Sequence, residues 1–402
     1  MISVLSVSAQ RKQINQALDY LKSGKDFDKA EKLMDDLLKD STNRRKEKIW
    51  QILIAAQKAQ YEQGNEKLYL NEKYDTAKFF LMAKKLFQTM ESFDSLEMQP
   101  NKKGRVKIKY REKHALYLDK IRINLYNAGV YFAKKQDYST AYDYFNAYIE
   151  CAWQPLFSKL NYAEKDAMIP IAACWTVFCG RSLADADLTL RYHQLAEKDD
   201  ARLVYVLQYE AETYASIKRE DDYLKTLKRG FDLYPTYDYF FRKLMRHYWH
   251  LKDNDTAMQL VSTALAVDST NTVFRFAENR TLLNLGRYDE CIETGKRFLE
   301  QNDSIAEVYF TIGLAYYNQA VNKELAMNGK NAKERKAIRA EMKKLYEQSL
   351  PYLEKYRKMA PEQQNKWITP LYNIYLNLNM GKEFDEIIKI RHERKNTTKT
   401  GH

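Results

Sequence analysis

A chain of 402 residues that is 45% hydrophobic can bury a large core, so disorder is not its default state. Its 12 Gly and 7 Pro, set among 30% charged residues, suit a nearly all-helical protein. The net charge of +12 invites nucleic-acid or anionic-membrane partners, but residues 102–113 and 330–344 carry nearly all of it.

The first nine residues end in Val7-Ser8-Ala9 before Gln10, which fits the small-residue rule at a signal-peptidase site. They lack a basic start and their apolar run is short. The expectation is the remnant of a longer secretory signal, weighed against an ordinary frayed N-terminus. No later stretch spans a membrane by its sequence: the most apolar one, 168–180, is short and contains Pro170.

Residues 10–90 read as N-terminal repeats. A first helix pair over 14–38 turns at Gly24-Lys25-Asp26-Phe27-Asp28, with Ala30, Met34 and Leu37 on its second stripe. A long helix over 45–70 carries Trp50, Leu53, Ala56, Gln57 and Tyr61 along one face. Lys73-Tyr74-Asp75 turns into a second helix carrying Ala77, Leu81 and Phe87. Residues 91–114 break the period as a basic insertion. Gln99-Pro100-Asn101-Lys102-Lys103-Gly104 is turn chemistry, and 105–111 alternate basic residues with Val106, Ile108 and Tyr110, fitting a surface loop better than a short strand.

The main solenoid is expected over 115–395. Leu125, Ala128, Gly129 and Phe132 resume the pattern, and Asp137-Tyr138-Ser139 turns into Ala141, Phe145 and Tyr148. A pair over 169–197 follows, with Ala172, Trp175, Thr176 and Cys179 on one helix and Leu188, Tyr192 and Leu195 on the other. Between 203 and 303 one frame then recurs in register, with Tyr223, Ala257 and Cys291 each 34 residues apart. The eighth unit starts at Tyr309, Ile312, Gly313 and Tyr316, detours through Asn328-Gly329 and a basic helical run (insertion about 325–345), and returns at Ser349, Leu353 and Tyr356. A last pair over 367–394 forms the cap, and 396–402 are a polar tail. The count is nine helix pairs.

A period of 34 with two amphipathic helices per unit is the signature of the tetratricopeptide repeat (TPR), and the chain resembles that family. A closer resemblance, to the exported TPR proteins of Bacteroidota, rests on Lys102-Lys103-Gly104-Arg105-Val106-Lys107, Gln154-Pro155-Leu156-Phe157, the stretch 352–363 and the stretch 372–381. It implies an all-α, right-handed α-α superhelix, an envelope location and a binding role. No common catalytic activity comes with it.

The chemistry of the residues agrees with a non-catalytic protein. There is no Gly-rich phosphate loop, nucleophile elbow, Cys-x-x-Cys pair or His-Glu-x-x-His helix, and no cofactor or metal is expected. His247 and His250 share a helix face, but without a fitting third ligand they read as packing or groove lining. Asp185, Asp187, Asp253 and Asp255 sit at helix starts, where Asp caps free N–H groups. Cys151, Cys174, Cys179 and Cys291 read as buried small hydrophobes, although a bridge from Cys151 to Cys174 or Cys179 is conceivable in an exported protein.

In this repeat class the first helix of each pair lines the groove. The candidate peptide-binding residues are therefore Tyr239, Arg242, Arg246, Trp249 and His250, then Phe276, Arg280 and Asn284, then Phe310, Tyr317 and Asn318. Guanidinium groups bind carboxylates bidentately and aromatic rings grip apolar side chains, so this set suits an extended peptide carrying acidic or C-terminal carboxylate groups. The expected partner is a protein or peptide in the cell envelope, with no small-molecule substrate. The alternative is a cytosolic basic scaffold touching nucleic acid through its two Lys/Arg-rich insertions.

Overall fold

The computed structural model describes the backbone of residues 2–101 and 103–399, and the side chains of 10–101 and 103–392. Met1, Lys102, residues 400–402 of the expected tail and the side chains of the expected leader remnant 1–9 lie outside that range. The chain divides into two compact units, Met1–Thr226 and Leu227–His402.

Unit 1 opens with α1 (Ile2–Ser23) and α2 (Phe27–Lys39), then α3 (Glu47–Tyr69) and α4 (Thr76–Glu97). After a loop come α5 (Arg111–Ile121), α6 (Ile123–Lys134) and α7 (Tyr138–Glu150). A 3-10 turn at Pro155–Phe157 and the single turn α8 (Tyr162–Lys165) lead to α9 (Met168–Ser182), α10 (Ala186–Leu190), α11 (His193–Ala196) and α12 (Leu203–Ser216). The boundary between the units falls inside α13 (Glu220–Leu233). Unit 2 continues with α14 (Asp238–Leu251), α15 (Asn254–Val267), α16 (Thr272–Asn284) and α17 (Tyr288–Gln301). It ends with α18 (Ala306–Leu325), α19 (Ala332–Met359), α20 (Gln364–Asn377) and α21 (Gly381–Lys399). Nine helix pairs are therefore present among the described residues.

One turn builds most of these pairs. Phe132, Gly180, Tyr214, Tyr248, Leu282 and Tyr375 each accept a hydrogen bond from the N–H five residues on, closing the helix end as a Schellman turn does. The residue just before each donor sits in the left-handed region: Gln136, Ala184, Lys218, Lys252, Gly286 and Asn379. Ala184, Lys218, Lys252 and Gly286 follow one another at the 34-residue period, so the structural repeat extends one unit further back than the sequence pattern. Next comes a cap: Asp137, Asp185 and Asp253 each accept from the backbone N–H three residues on, at 2.9–3.1 Å. Tyr223, Ala257 and Cys291 are each the fourth residue of their second helix, and Ala257 and Cys291 are fully buried.

The sequence expectations need correction in three places. The period break is shorter than 91–114, because Phe93 and Asp94 are buried and carry α4 on to Glu97, while α5 already starts at Arg111. Residues 105–109 are the surface loop expected, without strand structure among the described residues, and Asn101 and Glu97 hold them through backbone N–H groups. Leu81, grouped with Phe87 by its sequence pattern, does not join the core. Its neighbours Phe79, Phe80, Met82, Ala83, Leu86 and Phe87 are buried, and Leu81 faces a cavity at 44% exposure. Finally, the second helix of the fourth pair is broken between α10 and α11, where the Tyr192 hydroxyl turns onto Asn146 (2.8 Å) and Glu150 of α7. Just before that break the backbone of Thr189 presses so closely on Gly180 that a Cβ there would stand 2.4 Å from the Thr189 nitrogen.

The expected second basic insertion is no separate element. Its run forms the first half of the 28-residue α19, started by a reciprocal capping box between Asn331 and Glu334.

Candidate functional site

The helical period decides what α14, α16 and α18 present. In α14 the core takes Phe240, Phe241, Leu244, Met245 and Tyr248, which leaves Arg242, Arg246 and His250 in one i, i+4 row toward solvent. In α16 Phe274, Ala277, Thr281 and Leu282 are buried, and Arg280 and Asn284 are exposed.

The structure brings two of the candidate residues into direct contact. The Arg280 guanidinium lies 4.3 Å from the centroid of the Trp249 ring, and Trp249 Nε1 donates to Thr281 Oγ1 at 3.1 Å. The buried Thr281 hydroxyl itself donates to the Ala277 carbonyl at 2.7 Å. The indole is thus fixed between α14 and α16, with a cation over its face.

Other candidates are committed elsewhere. Arg242 donates to Asp238 of its own helix at 2.9 Å. Tyr239 is half-buried against Phe240, with the Lys243 ammonium 5.5 Å from its ring. Phe276 is half-buried against the core around Leu282, Cys291 and Phe298. Phe310 packs on Tyr356 at 5.0 Å. Tyr317 packs on Tyr346 at 6.1 Å, and its hydroxyl accepts from Asn373 Nδ2 at 2.5 Å. Asn318 is half-buried. Arg242, Arg246, His250, Arg280 and Asn284 are the exposed polar surface of this face; its aromatic members are half-buried between helices.

Sequence reasoning stopped one pair too early. Lys366 and Asn373 of α20 continue the face: Lys366 bridges to Glu307 at 2.8 Å and lies 5.6 Å from the Phe310 ring. Carrying the first-helix positions into the last pair, spaced one helical repeat apart, would have found both. A cavity of about 1030 Å³ in unit 1 was also missed. It lies chiefly on the second helices α2, α4 and α7, with Leu81, Met82, Phe132 and Tyr144 on its apolar side. In its wall the buried Glu31 accepts from Gln60 (2.6 Å) and Lys85 (2.8 Å). Burial, with Glu31 close by, pushes the neighbouring Asp35 carboxyl upward.

The basic loop is partly neutralised by its own unit. Lys109 pairs with Glu47 at 2.8 Å, and Arg111 grips the buried Asp94 through Nε (2.8 Å) and Nη2 (2.9 Å). Lys103, Arg105 and Lys107 remain exposed. His247 lies edge-on to Tyr248. All four cysteines are buried thiols, and burial pushes Cys174, Cys179 and Cys291 up to about 12 and Cys151 further in the same direction. Among the described residues no helix is long and apolar enough to cross a membrane.

No family model matches the chain, and no curated protein does. Solved structures do. The C-terminal part of a TPR repeat-containing protein from Cytophaga hutchinsonii is 15% identical, covering 66% of this chain and 93% of that one with a TM-score of 0.42. A TPR repeats protein from Bacteroides fragilis is 13% identical, covering 67% and 98% with a TM-score of 0.28. MamA (AMB-1) is 18% identical, covering 49% and 94% with a TM-score of 0.34. What decides the fold is internal: the repeated turn, the 34-residue period and the paired helices make this a TPR-like, all-α superhelical repeat protein.

Proposed function

We propose that this chain is a non-catalytic interaction scaffold that holds an extended peptide along the first-helix face of α14, α16 and α18. The observation that carries the reading is the Trp249–Arg280 stack, fixed from behind by Thr281 and set beside the exposed Arg246 and His250. A rigid ring held under a guanidinium loses little freedom on binding, and that guanidinium can still offer N–H groups to a carboxylate. Half-buried aromatics flanked by exposed arginines suit a peptide with apolar side chains and acidic or C-terminal carboxylate groups. An exported, envelope location goes with this reading and rests on the Val7-Ser8-Ala9 pattern.

The test compares wild type with Arg242→Glu/Arg246→Glu/Arg280→Glu in nuclease-treated pull-downs at low and moderate salt. A partner kept by wild type at moderate salt and lost by the triple variant supports the groove. Equal retention by the variant sinks it. Binding that disappears with nuclease or salt alone moves the function to the exposed Lys103, Arg105 and Lys107 and to the basic start of α19.

A further inference from the structure

In unit 1, His193 opens α11 and Glu197 stands one helical turn on, at the residue that closes that helix. Glu210 comes from the middle of α12. His193 Nδ1 lies 3.1 Å from Glu210 Oε1 and 3.9 Å from Glu197 Oε1, and one ligand atom from each residue falls within 4.8 Å of the other two. Glu210 is only 2% exposed, whereas His193 and Glu197 each keep about a fifth of their side chain open to solvent. The cluster is therefore closed on one side and reachable from the other.

We propose that His193, Glu197 and Glu210 bind one divalent transition-metal ion of zinc-like ligand preference. Three arguments carry this. First, the donor set is one imidazole and two carboxylates from two separate elements, a mixed N/O set that suits borderline ions and leaves a fourth position for water. Second, the spacing fits. Bonds of about 2.0–2.2 Å at tetrahedral angles place ligand atoms about 3.4 Å apart, so side-chain shifts of about an ångström close the set on an ion. Third, a divalent ion would bring more positive charge to the cluster than the single proton its imidazole can hold. Two carboxylates approach one ring nitrogen, which carries at most one proton, and one of them is buried.

The surroundings agree. Burial, and then Glu197, push the Glu210 carboxyl upward, against the pull of His193. One nearby cation, Arg219, is engaged by Asp222 at 2.7 Å and lies 5.0 Å from the Tyr214 ring. Nothing in the groove reading of unit 2 depends on this site.

The experiment uses the full chain freed of any polyhistidine tag. Zn²⁺ binding is followed by equilibrium dialysis with elemental analysis, and by the shift of the thermal midpoint on adding Zn²⁺. Wild type is expected to hold one equivalent and to melt at a higher temperature with Zn²⁺. Glu210→Gln and His193→Gln should each weaken binding more than about 10-fold, the least loss to expect when even outer-shell partners cost that much. His247→Gln/His250→Gln should bind as wild type does. Absence of a Zn²⁺-dependent shift in wild type, or an equal shift in Glu210→Gln and His193→Gln, overturns the site. Circular dichroism of the metal-free variants checks folding. If either buried-site variant fails to fold, Glu197→Gln at the helix end decides instead: binding weakened more than about 10-fold supports the site, and unchanged binding overturns it.

Discussion

The two units solve the same packing problem with different polar chemistry. In unit 1 the buried polar residues include Glu31, Asp94, His114, Arg122, Asp199 and Glu210, all ionisable. In unit 2 the buried polar residues among those described are Asn279, Thr281, Thr311 and Ser349, all neutral. Two of the buried charges sit where the repeat is interrupted. Asp94 and its half-buried partner Arg111 flank the basic loop; Arg122 marks the junction of α5 and α6, and its half-buried partner Asp166 precedes α9. Arg122 is held between the Tyr148 and Tyr162 rings (3.8 and 3.9 Å) while Nη1 meets Asp166 at 2.5 Å. Unit 2 keeps the 34-residue turn spacing only as far as Gly286, and its buried polar groups serve close crossings. Asn279 Nδ2 donates to the Cys291 carbonyl at 2.6 Å, Thr311 donates to Asn279 Oδ1, and Ser349 donates to the Gly313 carbonyl at 2.6 Å.

The sharpest test of that contrast is Arg122→Met. Removing one partner of a buried pair leaves the other uncompensated, so unit 1 should lose about 3 kcal/mol or more. Regional hydrogen exchange should show the loss around residues 111–182, with unit 2 unaffected. A matching loss of protection throughout unit 2 would break the contrast.

Next in size is Gly295→Ala in unit 2. A Cβ there would stand 2.6 Å from Ile312 Cγ1 and 2.9 Å from Asn279 Nδ2, so overpacking should cost about 1–3 kcal/mol in urea unfolding. Gly381→Ala meets nothing within 4 Å and should stay within about 0.5 kcal/mol of wild type. A neutral Gly295→Ala would show that unit 2 is packed more loosely than described.

Smaller is the response to pH of two groups in unit 1. Burial holds the His114 imidazole down at about 4 from an ordinary 6.5. The unfolded chain therefore binds the extra proton first, and this contribution is present above 6.5 and lost as pH falls toward 4. Burial holds the Glu91 carboxyl up at about 7 from 4.5, so its contribution is present below 4.5 and lost as pH rises through 7. Acidification below 6.5 should cost His114→Gln less than wild type, and alkalisation through 7 should cost Glu91→Gln less. Thermal melts across pH 4–8 check both, and parallel curves for variants and wild type would remove these groups from the account.

The smallest stability effect belongs to the groove. Arg246→Ala, on an exposed position, should leave unfolding within about 0.5 kcal/mol of wild type while weakening the partner retained in the pull-down. A large stability loss would mean that Arg246 serves the fold rather than a ligand.

Much of the repeat was readable in advance because helix period and turn chemistry are local. Tyr223, Ala257 and Cys291 announced the register, and of the four Asp read as caps Asp185 and Asp253 are caps while Asp187 and Asp255 lie in the first turn. The i, i+4 row of Arg242, Arg246 and His250 followed from the same period. Less of the candidate face could be foreseen. That Phe310 and Tyr317 pack on α19, and that Asn373 meets Tyr317, depends on neighbours 46, 29 and 56 positions away.

What the sequence determined by itself is the all-helical class, the 34-residue period and the positions of most turns, since each rests on residues a few places apart. The tertiary structure decided the rest. It paired Arg111 with Asp94 and Arg122 with Asp166, broke the helix at Tyr192, turned Leu81 toward a cavity and gathered His193, Glu197 and Glu210 around one nitrogen. The physical reason is that side-chain charge and burial depend on which helices pack together, and local periodicity carries no record of that.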